Sequence, residues 1–117
     1  MTKIAFNDMM RARTRKLAVA VIEFLNGLPW HKSLRVIEFQ LTKSVCSIAA
    51  NYRAACRARS QAEFFSKLSI VIEEANETEF WLGLIEDLKI DQSPRLKYLQ
   101  QETLEILKIC AKARKSI

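Results

Sequence analysis

Lys32, Arg35, Lys43, Arg53 and Arg57 are the residues of this chain whose type and spacing point most directly to a chemical task. Wound at about 100° per residue they fall within an arc of roughly 80° on one helix. A basic ridge of that kind can follow a phosphate backbone, and Arg11, Arg15 and Lys16 can extend it. The same ridge also suits a plainer role, as a solvated face or as the counterpart of an acidic helix on a neighbour. Glu63, Glu73, Glu74 and Glu77 share one side of the following helix and supply such an acidic face. Clustered carboxylates also raise the question of metal or acid–base work. A di-iron bundle, however, uses two Glu-x-x-His motifs, and the one histidine, His31, stands in a loop beside Pro29 and Trp30. No metal and no cofactor is expected. Catalysis is not expected either, because the chain has no Gly-rich phosphate loop, no Ser or Cys nucleophile with a His partner and no paired-cysteine motif. Cys46, Cys56 and Cys110 are odd in number and match no zinc spacing. They read as free thiols of a reducing compartment, and the cytoplasm is the expected location.

The elements that must carry these residues are helices. Gly and Pro number two each in 117 residues, too few for the turns of a sheet protein. The first helix is expected from about Asn7, as N-cap, to Asn26, with Met10, Leu17, Val21, Phe24 and Leu28 near one face; Asn26-Gly27 and Pro29 stop it. The second is expected from about Ser33 to Ala58. Its stripe of Leu34, Ile37, Leu41, Val45, Ile48, Tyr52 and Ala55 repeats every three or four residues. Ser60-Gln61-Ala62-Glu63 is a capping box that opens a third helix running to about Leu88, with Phe64, Leu68, Val71, Ala75, Thr78, Leu82 and Ile85 inward. Ser93-Pro94 opens a fourth, Ser as N-cap and Pro at the first helical position, with Leu96, Leu99, Thr103, Ile106 and Cys110 inward. Short connections force successive helices to run antiparallel. The expected fold is therefore all-α, an up-down-up-down four-helix bundle formed by residues 1–117 as one domain.

A chain of this size buries enough surface to fold without disulfide or metal, and no apolar run is long enough to cross a membrane. Its net charge is +6, unevenly spread. Residues 1–20, 31–60 and 92–117 are basic, whereas 61–91 set Lys67 and Lys89 against eight acids. This dipolar layout suits nucleic-acid binding, contacts between helices or contacts between subunits. Late in the third helix Phe80, Trp81, Leu84 and Leu88 project away from the inward stripe. Such surplus apolar residues mark either a subunit interface or packing under a helix end, and the first reading makes the protein a homo-oligomer. Asn51, beside the stripe of the second helix, either bonds a carboxylate across the bundle to fix register or faces solvent.

The stretch Ser44-Val45-Cys46-Ser47-Ile48-Ala49-Ala50-Asn51-Tyr52-Arg53 is followed by Ala55-Cys56-Arg57-Ala58-Arg59-Ser60. Then come Ala62-Glu63-Phe64, Lys67-Leu68, Glu74-Ala75, Glu77-Thr78 and Trp81-Leu82. This pattern resembles the bacterial four helix bundle protein family, also called S23-type or intervening-sequence proteins because some are encoded inside insertions in large-subunit ribosomal RNA genes. The resemblance is close over about 40 residues of the second and third helices and one of pattern elsewhere. It implies an up-down bundle and a homopentameric, barrel-like ring. It also implies kinship with the accessory protein of diversity-generating retroelements, which is basic and associates with nucleic acid and a reverse transcriptase. Most members have no assigned activity. Where the family reads Asn-Tyr-Arg-Glu-Ala, this chain has Ala54 in place of the Glu, which alters any salt-bridge network that Glu closes with Arg57 or a neighbouring subunit.

Two functions stay open at this level. One is a non-enzymatic, homo-oligomeric, basic protein that binds RNA or DNA through Arg35, Lys43, Arg53 and Arg57, without reading bases. The other is a structural or protein-interaction scaffold in which those charges serve subunit contacts. Whether the ridge stays exposed after assembly separates them.

Overall fold

The computed structural model describes all 117 residues. They form four helices and no strand: α1 (Lys3–Asn26), α2 (Leu34–Cys56), α3 (Gln61–Asp87) and α4 (Pro94–Lys115). Each helix lies beside the next in sequence, and α4 returns to α1. The bundle is 44 Å long, set by the length of α3 at about 1.5 Å per residue. The α2–α3 contact is the densest and the α1–α4 seam the sparsest. Across that seam Arg13 donates two hydrogen bonds, from Nε and an Nη, to the Glu102 carboxylate, both of 2.8 Å. This half-buried pair holds the Arg13 guanidinium pKa above its usual value, with the hydrogen bond as the main cause.

The apolar stripes meet in one core. All seven stripe residues of α2 and all five of α4 are buried, as are those of α1 and α3 except Leu28 and Phe64, which pack at its edge. Each buried hydroxyl has a nearby partner. Ser44 and Thr78 lie 2.8 Å apart between α2 and α3, and both also reach carbonyls of their own helices, Leu41 and Glu74. Thr103 donates to the Leu99 carbonyl. No buried side-chain polar atom is left without a partner, as a packed interior requires.

Local chemistry fixes the helix ends, with some departures from expectation: α2 stops at Cys56, two residues early, and the Ser33 side chain makes no cap bond. The Thr2 hydroxyl, not Asn7, caps α1 by accepting from the Ala5 amide at 3.0 Å. A whole turn is thus added ahead of the expected start. Asn7 instead faces α2, where its side-chain oxygen accepts from the Tyr52 hydroxyl at 3.3 Å. Ser60 accepts from the Glu63 amide as expected, but the return half of the capping box does not form, because the Glu63 carboxylate turns to Arg59, 3.6 Å away. Ser93 caps α4 through the Leu96 amide and is itself held by Asp91. At the end of α3, Lys89 adopts φ = 58°. Its amide bonds the Glu86 carbonyl, and the Ile90 amide reaches back to the Ile85 carbonyl. This is a Schellman closure with a lysine at the left-handed position that usually holds glycine, and it tucks Ile90 into the core.

Candidate functional site

Antiparallel packing lays the start of α1 against the end of α2, and the arginines of both helices meet there. Asp8, Arg11 and Arg15 from α1, Arg53 from α2 and Arg57 at its C-cap rim a groove of about 610 Å³. Its floor is small and mostly apolar: Ala12, Ala18, Cys46, Ala49 and Ala50. Arg11 and Arg15 stand one turn apart on α1, about 6 Å along the axis, whereas Arg53 lies in the last turn of α2 and Arg57 is its C-cap. All four arginines are exposed. Arg11 pairs with Asp8 at 3.1 Å; Arg15, Arg53 and Arg57 have no carboxylate partner within the chain. An exposed, uncompensated arginine keeps its planar donor fork for an anion and is only weakly hydrated.

The expected ridge is thus brought together in part. Arg53 and Arg57 join Arg11 and Arg15 around the groove. Lys43 lies about 15 Å back along α2 from Arg53 by helical rise. With Arg35, Glu38, Phe39 and Thr42 it lines a second, shallower concavity. Lys32 lies in the turn ahead of α2 and so leaves the helical ridge. Lys16 is exposed but does not line the groove. The alanine floor escaped sequence reasoning. A signal was present, since Ala50 stands three residues before Arg53 and Ala12 three before Arg15, each near the arc of an arginine.

The acidic side of α3 makes little contact with this surface. Glu73 and Glu77 are exposed and Glu74 half-buried, and none forms an ion pair within the chain. Glu77 accepts from the Trp81 indole N–H at 3.4 Å. No three His, Cys, Asp or Glu side chains converge on a point where they would hold a metal. Phe80 and Leu88 are exposed, at 57 % and 52 %, whereas Trp81 and Leu84 are half-buried against the core edge, with Phe80 and Trp81 edge to face at 5.0 Å. Sequence reasoning missed further exposed apolar residues: Val19 on α1, Trp30 in the connection, and Val36 and Phe39 on α2. Asn51 does neither of the two things expected of it. Its amide donates to the carbonyl and hydroxyl of Ser47, one turn back in its own helix.

The three thiols differ in setting. Cys46 is exposed in the groove, Cys56 is half-buried, and Cys110 is buried. Burial raises the Cys56 pKa, opposed by the Arg11 charge, and pushes the Cys110 thiol up to about 12. α2 and α4 lie on the diagonal of the bundle with no Cα pair within 8 Å, which is too far for Cys110 to bridge to Cys56 or Cys46.

No helix is long and apolar enough to cross a membrane. Over residues 9–112 the chain matches the family described as 23S rRNA-intervening sequence protein. It is similar to a crystal structure of a protein with unknown function from the S23 ribosomal protein family of Bacteroides thetaiotaomicron. The two share 29 % sequence identity, with a TM-score of 0.85 over 93 % of this chain and 97 % of that one. Among curated proteins none matches.

Proposed function

We propose, for a chain that belongs to the family of 23S rRNA-intervening sequence proteins, a non-enzymatic role in the cytoplasm: a homo-oligomer that binds RNA or DNA through the cationic face of α1 and α2. The observation that carries this reading is the convergence of Arg11, Arg15, Arg53 and Arg57 on one groove, three of them without a carboxylate partner in the chain. Arginines left unpaired at a solvent face are available to phosphates, and neutralising phosphates releases counterions and yields salt-dependent affinity. Lys43 and Arg35 extend the same face along α2. Assembly into a pentamer, as the resemblance implies, would repeat the groove five times, so weak contacts would add by avidity. The exposed Phe80 and Leu88 support assembly, since apolar side chains grouped on one helix face favour burial against a partner.

The test is Arg53→Gln with Arg57→Gln, followed by fluorescence anisotropy across a salt series on several unrelated sequences and by light scattering. The expected outcome is a uniform loss of affinity, with the slope of log affinity against log salt reduced by about 0.7–0.9 for each lost contact and an unchanged particle mass. No binding by the wild type at low salt, or equal binding by the double variant, would leave the charges to subunit or protein contacts and turn the reading to a scaffold. Dissociation of the variant into monomers would place both arginines in the subunit interface, facing the acids of α3.

A further inference from the structure

We infer that the α1–α2 groove seats a single-stranded segment of nucleic acid, with phosphates on the arginine rim and a base on the alanine floor. This rests on the nucleic-acid reading above and narrows it to one form of the ligand. A surface that serves only to follow a phosphate backbone needs cations and nothing else. Here the rim and the floor differ in character: four guanidinium groups, one of them paired with the Asp8 carboxylate that also lines the groove, surround a floor of alanines and one thiol. A ligand matched to both must be anionic at its edge and flat and apolar at its centre. The volume of about 610 Å³ lies within the range that holds a small ligand group rather than a bare ion.

A duplex does not satisfy the floor. Its bases are stacked and paired inside, and it offers the protein mainly sugar and phosphate. A single strand can turn a base outward, and proteins that bind such strands do so by combining a cationic groove with flat groups against the bases. Arginine serves in both parts, since its guanidinium plane stacks on a base and its fork binds phosphate. The small floor residues matter for the same reason. At Ala12, Ala49 and Ala50 a longer side chain would fill the space that a base needs. Nothing in the groove is placed to select a particular base, so sequence preference is expected to be weak.

The experiment uses the full chain in its native assembly and three fluorescein-labelled probes of equal length: an oligouridylate, an abasic sugar–phosphate strand, and an oligoadenylate–oligouridylate duplex. The oligouridylate is expected to bind several-fold tighter than the abasic strand, less than a base gains on an aromatic platform, because the groove offers a base only guanidinium planes and alanine methyls. It is also expected to slow alkylation of Cys46 by iodoacetamide, because that thiol lies in the groove and is exposed. Ala50→Leu fills the floor at an exposed helical position without touching a charge. It should abolish the preference for the oligouridylate over the abasic strand. Ala12→Leu repeats the test from the α1 wall. Equal binding of oligouridylate and abasic strand, or a preference that survives both leucine variants, would overturn the inference while the broader nucleic-acid reading stands. Failure of all three probes to bind at low salt would remove both.

Discussion

Replacing Lys89 by glycine should make this protein more stable, although the substitution puts the most flexible residue next to a helix. Lys89 sits at φ = 58°, a conformation that brings the Cβ of an L-residue against its own backbone at a cost of about 1–2 kcal/mol. The position cannot relax, because the Lys89 and Ile90 amides close the end of α3 on Glu86 and Ile85 and Ile90 is anchored in the core. Glycine removes the steric cost but gives the unfolded chain more freedom, a loss of about 0.5–1 kcal/mol. The expected net gain is about 0.5–1 kcal/mol. A domain of this size unfolds with about 2.1 cal/mol/K of entropy per residue, so Tm should rise by about 2–4 °C. The assay is thermal unfolding by circular dichroism at one protein concentration, since assembly makes Tm concentration-dependent. Lys89→Ala is the control. It loses the same exposed charge but keeps a Cβ, and its Tm should stay near that of the wild type. If Lys89→Gly is no more stable than Lys89→Ala, backbone strain at this closure is not what limits α3.

Two further outcomes follow from the titrating groups. With a thiol reagent at pH 8, Cys46 should react first, Cys56 more slowly, and Cys110 only on unfolding, because burial holds its pKa near 12; prompt reaction of all three in the folded protein would contradict the packing of α4. The Gln100 amide, then Lys97, holds the Glu86 carboxyl below its ordinary value of 4.5. Its contribution to stability is therefore present above that ordinary value and is lost as pH falls through the lowered one. Gln100→Ala should raise the Glu86 titration midpoint seen by NMR, and an unmoved midpoint would exclude this hydrogen bond as the main cause.

The fold was legible because each helix carries its own evidence. The stripe from Leu34 to Ala55 states a buried face without reference to any other part of the chain, and Ser60 and Ser93-Pro94 mark starts through bonds spanning three residues. The start of α1 was misplaced because Thr2 and Asn7 are both capable caps, and the choice depends on Tyr52, which meets Asn7 only after α1 and α2 have packed. The groove was half legible for a related reason. Helical spacing puts Arg53 and Arg57 on one face, but which α1 residues face them depends on the register between two helices, which no local spacing encodes. Trp81 and Leu84 looked as free as Phe80 and Leu88, because spacing along α3 does not tell how far neighbouring helices reach around it.

The sparse α1–α4 seam has a consequence for the order in which the molecule assembles. Every other helix contact joins neighbours in sequence and closes a short loop, while this one joins the first helix to the last and must enclose nearly the whole chain. Loop closure costs more entropy as the enclosed length grows, and chains dominated by local contacts fold fast. The α2–α3 hairpin, with the densest contact, is then the natural nucleus, α1 and α4 add to its flanks, and the Arg13–Glu102 clasp locks last. A φ-value near zero for a substitution at Arg13 would be the kinetic signature. By the same logic, stronger packing along that seam would slow unfolding and leave the folding rate unchanged.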